Sequence, residues 1–395
     1  WRKPRRWSPR GWVPGRARVG MMGVHPVPDT GRVPRPLSRR ALVVALGAAA
    51  THGALPAMAR TGAPDVDAMA GAGASPAWPT APPLLAGRQA QVFGALAATL
   101  RDGVPDVQGI AVVHRGHLAF EFHRPPWSVG SLHDVQSVTK SVLALLFGQA
   151  MADGHVRGPD ELVALRLPAM LRLNADPRVQ RLRFAHLLTM TAGWPPDETA
   201  QPGRDDDLRQ LLLRPFVAEP GARFAYDNGA ANLLALALAN AVGEPLADYA
   251  RRRLFQPLGI ERFAWRRGAQ GHALGAFGLS LTTPAMARLG ELVLGEGQWQ
   301  GRTLVPRGYM RALAQRHSAG GAPLGTAYGY LWWLGAGSIM ASGYGGQWIH
   351  VDPALDLVVA LTSRRTPESA ARGQGATLIR REILPAVRRL QRAGQ

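Results

Sequence analysis

The sequence uses lysine so sparingly that a single retained lysine becomes a candidate for chemistry. Only two lysines, Lys3 and Lys140, occur among the 46 basic residues, and the other positive charges are arginines. A buried lysine can lose its proton, whereas a guanidinium stays charged in a protein. Because Lys3 lies in a basic N-terminal stretch, Lys140 is the lysine that we expect to act as an acid–base group.

Ser137 lies three residues before Lys140, at the start of an apolar stretch over residues 138–151. This stretch is apolar on nearly every side, which is typical of a helix in the centre of a protein. Residues i and i+3 share a helix face, so the serine hydroxyl and the lysine amine can come within hydrogen-bonding distance. A helix N-terminus favours developing negative charge, and a desolvated lysine can activate a serine. The spacing predicts a serine nucleophile with a lysine base, although a capping serine before a lysine has the same pattern.

The apolar patterns predict one antiparallel sheet built from both ends of the chain. Alternating residues indicate paired strands at 110–114 and 118–122, and a second pair at 347–351 and 357–361. The long stretch between them, about 135 to 300, is mostly helical in pattern. The predicted fold class is therefore α/β (α+β), with an antiparallel sheet flanked by helices and an all-helical subdomain.

The first 59 residues have the three parts of an export signal. A basic stretch ends at Ser38-Arg39-Arg40, an apolar run covers 41–50, and Ala57-Met58-Ala59 provides a small-residue cleavage site. The apolar run is too short to span a bilayer. The paired arginines resemble a twin-arginine signal, with an ordinary secretory signal or a basic tail as alternatives. We predict a signal peptide at about 37–59 and an exported protein, periplasmic or secreted.

The predicted domain organisation follows from these composition changes. An Ala-, Gly- and Pro-rich stretch after the signal has too few large apolar residues to pack, so it is interpreted as a linker. The predicted segments are a signal at 1–59, a linker at 60–86 and one globular domain at 87–395, with sheet pieces at about 87–134 and 325–395 around a helical subdomain at about 135–324.

Composition excludes several classes of protein. With 46% hydrophobic and 18% charged residues the chain is not disordered throughout, and with no cysteine it has neither disulfides nor thiolate chemistry. The net charge of +19 suggests nucleic-acid binding, but the first 59 residues hold eleven basic residues against one acid. The remaining arginines form no basic stripe interleaved with aromatic residues, so no nucleic-acid partner is expected. Searches for a Gly-x-Ser-x-Gly elbow, His-Glu-x-x-His and a phosphate loop find none.

From Ser137-Val-Thr-Lys140 onwards the sequence resembles the penicillin-recognising serine hydrolases. These comprise class C β-lactamases, DD-peptidases, related esterases and 6-aminohexanoate-dimer hydrolases. The resemblance covers about 85 to 390 in the family's order and implies a β-lactamase/transpeptidase-like fold. The further motifs are Phe184 to Gly193, Pro220 to Asn228, Leu254 to Gly259, Gly278 to Thr282, Tyr328 to Trp333 and Ala341 to Gln347.

The resemblance also assigns roles to the second and third motifs. Tyr226 and Asn228 match the family's Tyr-x-Asn, which implies a phenol that shares protons with Lys140 and Ser137 and serves as the base in deacylation. The third motif is commonly Lys-Thr-Gly or His-Thr-Gly on a strand that lines the site. Here that position holds Ala341-Ser342-Gly343, followed by Tyr344.

The third motif implies an oxyanion hole made by the backbone N–H groups of Ser137 and Tyr344, with Gly343 letting the strand approach the substrate. If the alignment shifts by two residues, Gly345 or Gly346 takes the place of Gly343 in this motif.

An alanine at the start of the third motif cannot hold a substrate carboxylate as the family's cation does. This departure favours the esterase and linear-amide branch and an uncharged acyl or aminoalkyl group. Four aromatic residues are candidates to contact such a group, although they are equally compatible with the core: Trp194, Trp332, Trp333 and Tyr344.

We therefore expect a serine hydrolase that forms an acyl-enzyme on Ser137 and cleaves esters or linear amides of small substrates. A β-lactamase or DD-peptidase and a non-catalytic binding protein on the same fold are the alternatives. No metal or organic cofactor is expected. The expected partner is a small-molecule ester or amide, without nucleic acid and without stable membrane insertion of the mature protein.

Overall fold

The computed structural model of the protein describes residues 66–69, 78–79, 81–195, 207–268 and 270–392. The signal peptide predicted at about 37–59 lies outside these residues and stays a prediction. Within the described ranges no single helix is both long and apolar enough to cross a membrane. One bent helix pair, 228–242 with 246–255, meets that criterion by length and composition only when its two helices are taken together.

The strands of the described residues are short in the middle of the chain and longer near both ends. They are β1 (Val66–Met69), β2 (Val107–His114), β3 (His117–His123), β4 (His133–Asp134), β5 (Phe263–Arg266), β6 (Leu279–Leu281), β7 (Gln298–Trp299), β8 (Arg302–Thr303), β9 (Ser318–Gly321), β10 (Thr326–Tyr328), β11 (Trp333–Leu334), β12 (Ile339–Gly343), β13 (Gln347–Asp352) and β14 (Leu357–Ser363).

The helices lie before, between and after these strands. They are α1 (Pro83–Asp102), α2 (Val138–Ala152), α3 (Ala169–Leu173), α4 (Phe184–Leu188), α5 (Leu208–Leu212), α6 (Asn228–Val242), α7 (Leu246–Ala250), α8 (Thr283–Leu294), α9 (Arg307–Leu313), α10 (Pro367–Arg372), α11 (Gln374–Leu378) and α12 (Leu384–Arg392). Shorter 3₁₀ or π turns cover Val163–Leu165, Pro177–Arg181, Arg251–Phe255 and Ile379–Ile383.

The larger sheet joins the two ends of the chain, as the strand patterns predict. Its strand order is β3-β2-β14-β13-β12-β11-β10-β9, and its neighbouring strands are antiparallel. The β2–β3 hairpin turns at Arg115 and Gly116, both with positive φ, which matches the right-handed twist of paired strands. β2 then pairs with β14, with Ile110 opposite Leu361. The structure confirms the mixed α/β class with one large antiparallel sheet.

Helices cover both faces of this sheet. On one face, Phe93, Leu96 and Leu100 of α1 pack with apolar residues of the C-terminal helices, including Ile383 and Val387.

On the other face lie α2 and α8. Gly290 brings α8 close to the sheet, because a Cβ there would lie 2.4 Å from a methyl carbon of Val358. The start of α2 lies beside the end of β12, where a Cβ on Gly343 would lie 2.3 Å from the backbone oxygen of Val135.

Two predictions about domain organisation need correction. The linker predicted at 60–86 contains β1, which pairs with β5, and α1 begins at Pro83, since a proline in the first helical turn sacrifices no helical hydrogen bond. The subdomain predicted as all-helical at 135–324 contains a second sheet of order β1-β5-β6-β4. Strands of two to four residues are too short for an alternating pattern to stand out from helical sequence.

Candidate active site

Ser137 stands at a sharp turn between β4 and α2. The residue before it, Gln136, has a φ of 52°, which a residue with a side chain adopts only when its surroundings hold it there. Asp134 supplies one restraint, because its Oδ1 accepts the backbone N–H of Gln136 at 2.9 Å. The other carboxylate oxygen, Oδ2, accepts from Nη1 of Arg365 at 2.7 Å. A side chain that follows β14 thus ties down the turn that presents the serine.

The Ser137 hydroxyl makes no capping hydrogen bond to the helix that it begins. Capping is the usual role of a serine at this position. Here Oγ lies 3.1 Å from Nζ of Lys140, one turn into α2. The serine hydroxyl therefore faces the lysine, as the i, i+3 spacing predicts, and lies at the positive end of the α2 dipole.

Lys140 is enclosed by oxygen atoms from three parts of the chain. Its side chain is 1% exposed, although α2 is otherwise almost entirely apolar. Besides Ser137, Nζ contacts Oδ1 of Asn228 at 2.7 Å and the backbone oxygen of Ala276 at 2.8 Å. A buried amine of this kind requires such partners, because burying it alone would cost several kcal/mol.

These three oxygens differ in what they can do. The amide and backbone oxygens of Asn228 and Ala276 only accept, so each takes one N–H from Lys140. The Ser137 hydroxyl can also donate. A neutral lysine amine carries a lone pair that can accept the serine proton. The geometry suits a base that acts on Ser137.

Asn232 is a residue of the site that the sequence prediction missed. Its Oδ1 accepts the N–H groups of Gly275 and Ala276 at 2.8 and 2.9 Å. It thereby fixes the backbone whose carbonyl binds Lys140. The signal was present in the sequence, since Asn232 follows Asn228 by one turn of the otherwise apolar helix α6 and is fully buried.

Tyr226 completes the polar cluster. Its hydroxyl forms a hydrogen bond with Ser137, its ring lies 4.9 Å from Nζ of Lys140, and the ring stacks on Trp333 at 5.7 Å. Burial raises the pKa of Tyr226 to about 12, although the hydrogen bond to Ser137 lowers it. At neutral pH the resting phenol therefore keeps its proton, and it can act as a base only after it has first given that proton away.

Asn228 and Tyr226 are positioned by the start of α6. Asp227 caps this helix by accepting the N–H of Ala230 at 3.2 Å, and Arg214 binds the same carboxylate oxygen at 2.6 Å. Asn228 is the next residue, so its amide is held rigidly in front of Lys140.

The strand that carries the predicted third motif, β12, contacts the turn before Ser137. A Cβ on Gly343 would lie 2.3 Å from the backbone oxygen of Val135 and 3.1 Å from Cβ of Gln136. Gly343 is thus required for the strand to approach the nucleophile's turn, and the Tyr344 N–H follows directly after this contact. The oxyanion hole of Ser137 and Tyr344 stays a prediction.

Ser342 and Tyr344 flank Gly343 with different exposure. Ser342 lies in β12 opposite Trp348 and is half-buried, whereas the Tyr344 side chain is 49% exposed. The following glycines, Gly345 and Gly346, both have positive φ and form the β12–β13 turn. The structure therefore places Gly343, rather than the two later glycines, in the strand beside Ser137.

Of the four aromatic residues predicted as candidates for substrate contact, three lie in the core. Trp194, Trp332 and Trp333 are at most 2% exposed. Trp194 packs against Phe216 and under the guanidinium of Arg214, which is 4.9 Å from its ring. The structure places Trp194 behind the cap of α6 rather than beside Ser137, and among the four only Tyr344 is open to solvent.

The described residues contain no group of three or more His, Cys, Asp or Glu side chains that could hold a metal ion.

Comparisons with known proteins concern the family and the fold of the chain. The model of the Beta-lactamase family matches residues 37–382. No curated protein matches the sequence. Among solved structures, a protein from Bacillus anthracis provisionally described as a 6-aminohexanoate-dimer hydrolase has a TM-score of 0.63 at 19% identity, covering 75% of this chain and 82% of its own.

Two further structures are similar over comparable lengths. EstCE1, described as a hydrolase with promiscuous acyltransferase activity, has a TM-score of 0.64 at 18% identity, covering 77% of this chain and 99% of its own. A penicillin-binding protein homologue from Caulobacter crescentus has a TM-score of 0.56 at 18% identity, covering 76% and 98%. At these identities the structures show a common fold.

Proposed function

The chain belongs to the Beta-lactamase family, and we propose that it is a serine hydrolase that forms an acyl-enzyme on Ser137 and cleaves ester or linear amide bonds of small substrates. The observation that carries the proposal is the contact between the Ser137 hydroxyl and the buried Lys140 amine, which also donates to oxygens of Asn228 and Ala276. A serine activated in this way can attack a carbonyl carbon.

In acylation, Ser137 Oγ forms a bond to the substrate carbonyl carbon and its proton moves to Nζ of Lys140. The carbonyl oxygen becomes an oxyanion, which the N–H groups of Ser137 and Tyr344 stabilise. When the carbon–leaving-group bond breaks, the Tyr226 phenol donates its proton to the departing alcohol or amine. This leaves a phenolate beside a lysine ammonium, a pair whose charges stabilise each other.

In deacylation, the Tyr226 phenolate takes a proton from water, and the resulting hydroxide attacks the acyl carbon. The bond to Ser137 breaks, and the serine oxygen recovers its proton from Lys140. The cycle consumes one water and returns all three side chains to their starting states. A phenol of raised pKa suits both steps, because it is protonated at rest and is a strong base once ionised.

Ala341 supports esters and linear amides over β-lactams and peptidoglycan. Its side chain is a methyl group with no exposed area, so this position offers no cation for a substrate carboxylate. The proposed substrates accordingly carry an uncharged group there.

Hydrolysis of a short p-nitrophenyl ester by the full chain tests the proposal. Ser137→Ala should abolish turnover and the acyl adduct seen by mass spectrometry of the intact protein. Ser141→Ala is a matched control, because this serine lies one turn further along α2 and donates to the backbone oxygen of Leu331 instead. Turnover that survives Ser137→Ala would overturn the proposal. Faster hydrolysis of a β-lactam than of the ester would favour the β-lactamase alternative, and binding without any turnover would favour a non-catalytic protein.

A further inference from the structure

A cavity lies beside the β2–β3 turn, at the end of the larger sheet that is opposite Ser137. It has a volume of about 280 Å³ and is lined by Gly116, by residues 256–259 and by the C-terminal half of α8. Gly116 lies in the β2–β3 turn, at the C-terminal end of β2. The N-terminal end of β2 lies beside the start of α8, where the Thr283 and Thr362 hydroxyls are 3.2 Å apart. Eight residues of helix separate Thr283 from Glu291, or about 12 Å. None of the residues that line the cavity belongs to the candidate active site, so the two are distinct.

Two tryptophans and two charged side chains give this cavity its chemistry. Trp78 and Trp299 contribute indole rings, and Arg288 and Glu291 contribute opposite charges from one face of α8. Neither indole is fully buried. Aromatic walls with a few convergent polar groups are typical of sites for small ligands.

Arg288 already has partners. Its side chain is 3% exposed, and Nη1 donates to the backbone oxygens of Leu258 and Gly259, at 3.3 and 2.6 Å. The guanidinium also lies 5.4 Å from the ring centre of Trp78. These contacts hold the Arg288 guanidinium in the cavity wall, so its charge does not require a bound anion.

Glu291 is in the opposite situation. Its carboxylate makes no hydrogen bond or ion pair with any residue that the structure describes, yet the side chain is partly buried on an otherwise largely buried helix. Burial raises the pKa of Glu291 to about 7, against the opposing effect of Arg288 and with a further small rise from Asp356 at the β13–β14 turn. A partly desolvated carboxylate without a partner gains most from a cation.

We propose that this cavity binds a small protonated organic amine, with the ammonium group against the Glu291 carboxylate and the alkyl part against the indoles of Trp78 and Trp299. The alkyl part gains apolar contact with the indole rings, which adds to the carboxylate contact. An anion would meet the Glu291 charge, and a neutral alcohol would leave that charge unmatched. The volume of about 280 Å³ is large enough for a small alkylammonium ion.

The experiment titrates n-butylammonium into the full chain carrying Ser137→Ala, so that any reaction at the active site is removed. The indole N–H signals of Trp78 and Trp299, assigned with Trp78→Phe and Trp299→Phe, report binding by NMR. n-Butanol and butyrate are matched probes of the same length with zero and negative charge. We expect n-butylammonium to shift both indole signals with an affinity at least about ten times that of n-butanol, and butyrate to leave them unchanged.

Glu291→Gln keeps the shape of the side chain and removes its charge, so it should weaken n-butylammonium binding about tenfold or more. Glu296→Gln is the matched control, because Glu296 is a half-buried residue just beyond α8 that pairs with Arg307 and Arg311. The control should bind as the parent does. The thermal unfolding midpoint of each variant checks that the fold is kept.

The pH dependence gives an independent readout. Because the pKa of Glu291 is raised, its carboxylate ionises as pH increases through about 7, while the alkylammonium stays charged. Affinity should therefore rise between pH 6 and 8 and then level off, and Glu291→Gln should remove this rise. Equal binding of n-butanol, unchanged affinity in Glu291→Gln or no shift of either indole signal would each overturn the proposal. None of these results depends on ester hydrolysis, so the two proposals fail separately.

Discussion

Replacing Gly343 by alanine tests whether the contact between β12 and the turn before Ser137 sets the geometry of the site. The added Cβ would lie 2.3 Å from the backbone oxygen of Val135, about 1 Å closer than ordinary van der Waals contact. It would also lie 3.1 Å from Cβ of Gln136. Neither atom is the far end of a flexible side chain, so the strand or the turn must move by about 1 Å.

A movement of about 1 Å between a nucleophile and the donors that stabilise its transition state lowers turnover by about 10²-fold. We expect kcat/KM for a short p-nitrophenyl ester to fall by that factor in Gly343→Ala. The overpacking should also lower the free energy of unfolding by about 1–3 kcal/mol, measured by urea denaturation. Gly308→Ala is the matched control, because a Cβ on this helical glycine meets no atom within 4 Å, and it should keep full activity.

The activity must be divided by the concentration of folded protein. The fraction folded is obtained from the denaturation curve. If Gly343→Ala loses stability but each folded molecule hydrolyses the ester at the parent rate, the β12 contact does not set the catalytic geometry. An unchanged stability together with unchanged kcat/KM would show that the turn and the strand can separate freely, which would refute the steric reasoning as well.

Variants of three further residues test the proposed roles. Lys140→Arg keeps the charge but cannot accept the Ser137 proton, so ester hydrolysis should fall by about 10²–10⁴-fold, and an active variant would exclude the lysine as the base. Tyr226→Phe should show a rapid burst of p-nitrophenol followed by a slow steady state, because acyl-enzyme accumulates; stopped-flow absorbance measures this, and a parental steady-state rate would point to another base. The raised pKa of Tyr226 also predicts no loss of kcat below about pH 10 from ionisation of this phenol, which a pH–rate profile compared with Tyr226→Phe checks. Asp134→Ala removes the acceptor for the Gln136 N–H and should lower kcat with little change in KM, whereas Asp134→Asn keeps an acceptor and should retain more activity.

Four strands of the larger sheet, β2, β3, β13 and β14, could be predicted because they carry their own local signals. The strands from β2 to β3 and from β13 to β14 alternate or are continuously apolar, and turn residues such as Gly116 separate them. Their pairing follows from a need to bury both ends of the chain in one core. The second sheet carries no such signal, since its strands are held by partners from distant parts of the sequence.

The contacts of the candidate site also divide into those that the sequence predicts and those that only the folded chain shows. The approach of Ser137 to Lys140 depends on one helix and follows from residue spacing alone. The backbone oxygen of Ala276 has no side-chain signature, and its role depends on how residues 273–278 pack against α6. The tie from Arg365 to Asp134 likewise joins residues far apart in the sequence, so only the folded chain brings them together.

The ion pair between Arg365 and Asp134 also affects which substrates the site can bind. Ala341 lies on the same face of β12 as Gly343, so the family's usual cation at this position would point towards Ser137. Arg365 is a cation near the nucleophile's turn, and it is engaged with Asp134, whose other oxygen holds the Gln136 N–H. A substrate carboxylate that drew Arg365 away would loosen the turn that presents Ser137, and one that did not would be desolvated without a partner. For the proposed ester and linear-amide hydrolase, we therefore expect carboxylate-bearing substrates such as β-lactams to be disfavoured.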